Sequence, residues 1–436
     1  MPEPQISAHF LSKSPSAIRL SQIEFAKRKD GVRAINTAIG DVSLPMHPAM
    51  QERMFHLDAK ESPLKNGVVG YTETVGTREA REAFLNVIAA SGFETKNLFV
   101  EITDGGSQAM ELVVLGCCGP AGTGEKPLMV IDPAYTNYIA MCTRTGRKIV
   151  SISRKLEDNE KFSLPDMDEI RRKIDETKPG ALVVIPYDNP TGQFYTHEMM
   201  VALARLCVEK NLWMISDEAY RELHYTGEPA SSIWRITEKE VNGITGRRIS
   251  IESASKVWNG CGLRIGALVT DNQKYHEQAV AENTANLCSD AIGQYIFGAL
   301  AHLKAGELQA WFDGQRDYYK KLMFETTAEL KKRLPGILVS SPDASIYSVV
   351  DVRKIANSEF NAKDFALYCA KEGAVEIDGK KVTLLTAPMA GFYNVAPNQP
   401  NPGRTQLRIA YVCPPDEMKL VPELFEKLFK AYTKHP

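Results

Sequence analysis

The sequence predicts an α/β protein, with a mainly parallel central sheet, helices on both faces and a smaller α+β domain attached. Two observations carry this expectation. Between residues 99 and 270, short apolar runs such as LMVID, ALVVIP and LWMIS alternate with amphipathic stretches of helical period. Strands apolar at every position are buried on both faces, and their alternation with helices is the pattern of right-handed crossovers. After Pro335-Gly336 the texture changes to the shorter, more alternating runs ILVSS, IYSVVDV, VTLLTA and LRIAYV, with helices over 362–372 and 416–433. The length of 436 residues accommodates two or three domains.

Taken in order, the first 50 residues hold a short helix over 16–29 and a segment, 35–48, punctuated by Pro and Gly. A helix over 76–90 leads into a strand over 99–103, a helix over 108–116 and a strand over 128–132. The pattern continues with helix 135–145, strand 148–153, helix 167–176, strand 181–186, helix 197–210 and strands 212–216, 249–253 and 264–270. Two long helical stretches follow, over about 272–303 and 306–334. The expected organisation is an N-terminal segment (1–50) packed on a small domain (306–436), with a large α/β domain (51–305) between them.

Composition narrows the function classes. Apolar residues make up 44%, charged residues 24%, and the net charge is −2, so the overall balance favours neither nucleic acids nor acidic membranes. The N-terminus lacks a charged start followed by an apolar run, and no stretch approaches the roughly 18 apolar residues of a membrane span. The eight cysteines are scattered without a CxxC pair, which fits a reducing compartment, by default the cytoplasm. His197, His224, His276 and His302 show no metal-ligand spacing, so no metal site is expected. The loop 119–126 glances at a phosphate-binding P-loop. However, Glu125 and Lys126 occupy its Lys and Ser/Thr positions, and it follows a helix.

Ligands of open α/β sheets bind beyond the C-terminal strand ends, and the residues there form a coherent set. Asp104-Gly105-Gly106-Ser107-Gln108 opens a helix, where free N–H groups and glycines suit an anion. Asn189-Pro190-Thr191-Gly192 follows one strand, and Asp217-Glu218-Ala219-Tyr220 the next. Ser253-Ala254-Ser255-Lys256 follows a third, with Arg264 eight residues beyond the lysine. Each fragment alone reads as a turn, a cap or a surface lysine. Together they supply a phosphate cradle, an amide, a buried carboxylate and an amine able to form a Schiff base, which are the requirements of pyridoxal 5′-phosphate (PLP).

On these residues, with Gly40, Tyr71, Gly76, Asp132-Pro133-Ala134-Tyr135, Arg264-Ile265-Gly266 and Leu407-Arg408-Ile409, the chain resembles the class I/II aminotransferases of PLP fold type I over nearly its whole length. The resemblance implies that Lys256 binds the cofactor covalently and shuttles the substrate Cα proton. Asp217 would keep the pyridine nitrogen protonated, Asn189 and Tyr220 would bond the phenolic oxygen, and Tyr135 would stack on the ring. Ser107, Ser253, Arg264 and the backbone around Gly106 and Gln108 would take the phosphate, with Tyr71 reaching it from the other subunit of a homodimer. Arg408, Asn189 and Gly40 would bind the substrate α-carboxylate.

The implied reaction transfers an amino group from an L-amino acid to a 2-oxo acid, 2-oxoglutarate or pyruvate. A C–S β-lyase would display the same residues. A transcription regulator with an aminotransferase-like domain would need a DNA-reading domain, and no helix-turn-helix pattern precedes the core. The family's Pro-x-Gly-Ala-Phe-Tyr segment is here Pro342-Asp343-Ala344-Ser345-Ile346-Tyr347, so Ser345 and Ile346 are expected to alter the pocket wall. No Arg or Lys occurs from 275 to 303, where one dicarboxylate-specific subgroup carries its arginine. Aspartate, alanine and aromatic amino acids therefore all remain open as substrates.

Overall fold

A computed structural model describes residues 3–13, 15–396 and 398–434. Its centre is a seven-stranded sheet in the order Phe99–Asp104, Ile265–Thr270, Arg248–Ser253, Trp213–Asp217, Ala181–Val184, Leu128–Asp132 and Ile149–Ser153. Only Ile265–Thr270 runs antiparallel to its neighbours. Leu128–Asp132, Ala181–Val184 and Ile265–Thr270 are buried at every residue, as strands with helices on both faces must be.

The antiparallel strand places part of the site. Gly266 lies opposite both Thr103 and Ser253, so Arg264, just before this strand, emerges at the same rim as the C-terminal ends of its neighbours. A side chain at Gly266 would overlap the Gly105 and Gly106 backbone, so this approach requires glycine.

A four-stranded antiparallel sheet follows in the order Ala387–Pro388, Gln406–Ala410, Tyr347–Asp351 and Leu338–Val339. In a third sheet Arg33–Asn36 pairs parallel with Lys380–Leu385, which pairs antiparallel with Val375–Ile377. The N-terminal helix Ala17–Ala26 packs on Ala362–Lys371. The helix Ala305–Arg333 packs against both Val421–Lys434 and Arg78–Ala90. No helix among the described residues is long and apolar enough to cross a membrane.

The structure corrects one long helix. The stretch 272–303 is broken into Gln273–Asn283 and Ala291–Gly298 by Leu287 in the left-handed region (φ 67°). Asp290 caps the second piece, accepting from the Ile292 and Gly293 N–H groups at 3.1 and 3.0 Å. The expected helix over 416–433 is likewise divided, into Pro415–Met418 and Val421–Lys434.

One buried acid in the sheet has no evident structural bond. Glu101 is fully buried, and neither carboxylate oxygen finds a hydrogen-bond partner at good geometry among the described residues. Burial pushes its carboxyl up from 4.5 to about 7, with the Asn283 amide acting in the opposite direction. An unfolded Glu ionises above its ordinary value while the folded one keeps its proton to about 7, so stability is lost as pH rises between the two. Glu101→Gln should therefore match the wild type at pH 4 and exceed it at pH 8 by about 2–3 kcal/mol. Urea unfolding at the two pH values checks this.

Candidate active site

A cavity of about 660 Å³ opens at the C-terminal rim of the large sheet. It is walled on one side by residues 38–41, on another by the start of the helix Asn137–Arg144, and floored by Asp217, Ser253 and Lys256.

Lys256 stands just beyond Arg248–Ser253, and its Nζ donates to the Gly40 carbonyl oxygen. Gly40 has no room for a side chain, since a Cβ there would overlap the Tyr347 hydroxyl. Asp217 ends the strand Trp213–Asp217. Its Oδ2 accepts from the Tyr138 hydroxyl at 2.5 Å and its Oδ1 from the Ala219 N–H at 3.2 Å. Burial raises its pKa, which the Tyr138 bond partly opposes and the nearby Glu252 and Asp188 charges reinforce.

Asn189 is held between two partners. Its Nδ2 donates to the Tyr220 hydroxyl at 3.2 Å, and its Oδ1 accepts from Arg408 Nη1 at 2.9 Å. Arg408 Nη2 donates to the Ala38 carbonyl at 2.7 Å, and the guanidinium lies 4.2 Å from the Tyr347 ring centre and 5.1 Å from that of Phe392. Such a planar cation between aromatic faces is fixed in orientation. The Tyr220 and Tyr347 hydroxyls lie 3.1 Å apart.

The anion cradle forms at the start of the helix Gly105–Cys117. Gly105 has φ +71°, and a Cβ on it would overlap the Arg264 guanidinium. Gly106, Ser107, Ser253 and Arg264 all line the cavity. Arg264 itself lies in the left-handed region (φ 55°), with Nη1 donating to the Cys261 carbonyl at 3.0 Å. Tyr135 also lines the cavity; its ring meets Tyr138 edge-on at 5.6 Å, and burial pushes its hydroxyl up to about 12.

Two expected site residues lie apart from this cluster. The Gln108 side chain turns back to accept from the Asp104 N–H at 2.6 Å and to donate to Asn283 at 2.9 Å, leaving only its backbone for an anion. Tyr71 is 83% exposed and does not line its own chain's cavity.

The expectation for Ser345 and Ile346 needs correction. Both are fully buried behind the wall, with Ser345 Oγ donating to the Asp188 carbonyl at 2.9 Å, and it is Tyr347 that faces the cavity. Tyr138, Tyr347 and the buried pair Arg154–Asp188 were not singled out from sequence. Arg154 Nη2 meets Asp188 Oδ2 at 2.5 Å, and its Nη1 donates to Gln193 at 3.0 Å, which anchors the turn carrying Asn189. The signal was weak: Asp188 is an acid next to a turn, and Arg154 lies 34 positions before it. Among the described residues no cluster of His, Cys, Asp and Glu could hold a metal.

This arrangement defines the class of protein: a fold type I enzyme whose cofactor pocket lies at the rim of a mainly parallel sheet. A family model described as aminotransferase class I and II matches residues 51–421. The aspartate aminotransferase of Sulfurisphaera tokodaii is 26% identical over 387 residues, covering 86% of this chain and 88% of that protein. The aspartate/prephenate aminotransferase of Thermus thermophilus is 26% identical over 367 residues, covering 82% and 87%. Among solved structures, a mutant of Thermus thermophilus aspartate aminotransferase superposes with a TM-score of 0.79 at 21% identity, covering 98% of this chain and 100% of that one. An alanine aminotransferase from Pyrococcus furiosus gives 0.78 at 21% identity, covering 98% and 100%. The chain belongs to the class I and II aminotransferase family, and it is a PLP-dependent aminotransferase.

The donor set fits that cofactor. Asp217 is a half-buried carboxylate facing the cavity with no ion-pair partner among the described residues, Arg408 Nε is a buried donor without a partner, and the Gly105 cradle leaves backbone and guanidinium donors facing one space. Removing one partner of a buried ion pair leaves the other charge stranded. Arg154→Met should therefore destabilise the fold by about 3–5 kcal/mol, and Arg154→Met combined with Asp188→Leu by much less. Denaturant unfolding of the single and double variants measures the difference.

Proposed function

We propose that this aminotransferase works through Lys256 as its covalent cofactor anchor and general base, passing amino groups from an L-amino acid to 2-oxoglutarate or pyruvate. The observation that carries the reading is the convergence of Lys256, Asp217 and the Asn189–Arg408 pair on one cavity. PLP, when bound, supplies an electron sink for the pair left at the substrate Cα.

The chain's own residues do the rest. Arg408 offers a bidentate fork to the α-carboxylate, with Asn189 and the Gly40 backbone beside it. The Lys256 amine, oriented by the Gly40 carbonyl, would take the Cα proton at Nζ and hold it for return. Asp217, its carboxylate steadied by Tyr138, would hold the ring nitrogen in its protonated form. Tyr220 and Asn189, bonded to each other, would bond the phenolic oxygen, and Tyr135 would stack on the ring. Ser107, Ser253, Arg264 and the N–H groups at the start of Gly105–Cys117 would hold the phosphate.

The exposure of Tyr71, with Phe55, Val68 and Val69 also exposed nearby in sequence, supports a homodimer in which Tyr71 completes the phosphate site of the other subunit. The pairing of Arg33–Asn36 with Lys380–Leu385 supports an N-terminal segment (1–50) that belongs with the small domain (306–436), leaving 51–305 as the cofactor domain. All eight cysteines are free, in keeping with a reducing compartment such as the cytoplasm.

Borohydride reduction of the holoenzyme followed by peptide mapping should label Lys256 and no other lysine. Lys256→Ala should lower turnover by at least about 10²- to 10⁴-fold. Amino acids mixed with 2-oxoglutarate or pyruvate should yield the corresponding new amino acid. Release of ammonia and pyruvate with no new amino acid would instead point to a β-lyase. Tyr71→Phe should leave the dimer intact by light scattering and weaken cofactor retention about 10-fold, as loss of one bond to a charged phosphate does.

A further inference from the structure

Tyr347 is only 2% exposed, yet it faces the active-site cavity. Its hydroxyl lies 3.1 Å from that of Tyr220, with the two rings edge-on at 5.7 Å and 78°. Its ring carries the Arg408 guanidinium 4.2 Å from its centre. A Cβ at Gly40 would overlap the same hydroxyl, and the Gly40 carbonyl accepts from Lys256 Nζ. One side chain thus meets the tyrosine assigned to the phenolic oxygen, the arginine assigned to the α-carboxylate and the backbone that orients the lysine.

Sheet geometry puts it there. Across the antiparallel strands Tyr347 pairs with Ala410 and Val349 with Arg408, so Tyr347 and Arg408 are diagonal neighbours on one face. The backbone just before it is pinned to the large domain. Ser345 Oγ donates to the Asp188 carbonyl at 2.9 Å, and the Tyr225 hydroxyl donates to the Ser345 carbonyl at 2.6 Å. The Tyr220 oxygen accepts from Asn189 Nδ2 at 3.2 Å. Tyr220 has a single hydroxyl proton, and burial, followed by the Tyr347 hydroxyl, holds that proton on to well above the ordinary phenol value. With this proton turned to the phenolic oxygen, the contact between the two hydroxyls is filled by the Tyr347 proton. Hydrogen bonds in such a chain strengthen one another, since each polarises the next.

We infer that Tyr347 is a positioning residue of the transamination site: its hydroxyl donates to Tyr220 and strengthens the bond Tyr220 makes to the phenolic oxygen, while its ring fixes the Arg408 fork for the α-carboxylate. The hydroxyl serves the cofactor end and the ring the substrate end, so the two contributions separate on substitution. The inference rests on the roles proposed for Lys256, Tyr220 and Arg408. The charged and titratable groups around Tyr347 are Arg408, Lys256, Tyr135, Tyr220 and Tyr319.

The test follows the colour of the holoenzyme, which changes as the nitrogen linking Lys256 to the cofactor loses its proton. Loss of that proton leaves the full negative charge on the phenolic oxygen, where a hydrogen bond from Tyr220 stabilises it. Tyr347→Phe, which keeps the ring, should raise the midpoint of the colour change by about 0.5–1 pH unit, the scale of one hydrogen bond. Tyr347→Leu should raise the midpoint equally. It removes the ring as well, so its KM for L-alanine or L-glutamate, whichever is turned over, should exceed that of Tyr347→Phe about 5- to 10-fold. In a Tyr220→Phe background, adding Tyr347→Phe should move the midpoint no further, because the effect passes through Tyr220. A midpoint unmoved or lowered in Tyr347→Phe overturns the inference. An equal shift in the Tyr220→Phe background, or equal KM in the two Tyr347 variants, does the same. A wild-type colour constant from about pH 5 to 10 overturns it too, because Tyr220 then exerts no pull for Tyr347 to strengthen. Borohydride fixation of the cofactor to another lysine would instead sink the Lys256 reading, and this inference with it.

Discussion

The bonds of the Arg408 guanidinium join three distant parts of the chain at the cavity. Arg408 lies in the four-stranded sheet, Asn189 on a turn at the rim of the seven-stranded sheet, and the second bond of the same guanidinium reaches Ala38 in the N-terminal segment. A buried guanidinium is costly unless its donors are used. This one is stacked between Tyr347 and Phe392 and bonded twice, with Nε left over. Its desolvation thereby holds three segments in register around one cavity, and the strand-end residues gain their mutual geometry from it.

Beneath the rim the same problem is solved twice more. Arg154 pairs with Asp188 directly behind the Asn189 turn, and Arg221 pairs with Glu252 at 2.6 Å and Glu218 at 2.9 Å directly behind Asp217 and Tyr220. Glu218 Oε1 also accepts from Ser216, Ser232 and the Ile233 N–H. These networks are fully enclosed, which stiffens them and makes each member costly to remove. The residues facing the cavity are therefore carried on a second layer of charge rather than on an apolar core alone. Polar groups that must hold a fixed direction need such hydrogen-bonded support in addition to close packing.

Much of the fold was legible because its signal is local. Runs such as Leu128–Asp132 and Ala181–Val184 are apolar at every position, and the Gly and Pro residues that punctuate them mark where each strand ends. Site residues followed as the polar groups just past those ends, and Lys256, Asp217, Asn189, Ser107 and Arg264 all line the cavity. What stayed hidden depends on contacts between distant parts of the chain. Tyr138 meets Asp217 only because the helix Asn137–Arg144 returns over the sheet, and Arg154 finds Asp188 across a crossover. Gln108 looked like a pocket residue, but the direction of a side chain on a helix's first turn is set by its neighbours, here Asp104 and Asn283. The break at Leu287 was invisible for a related reason, since a left-handed non-glycine residue leaves no compositional trace.

The lone antiparallel strand has a consequence for how the site can vary. Other neighbouring strands at the rim are joined by crossovers, so their end residues can shift independently as loops lengthen or shorten. Lys256 and Arg264 instead share one short connection between Arg248–Ser253 and Ile265–Thr270, paired Ser253 to Gly266. In such a hairpin a slip of one residue would turn every following side chain to the opposite face. An insertion or deletion in that connection would displace amine and guanidinium together. The helix and loops at the mouth carry no such constraint, so residues there can change without disturbing that hairpin.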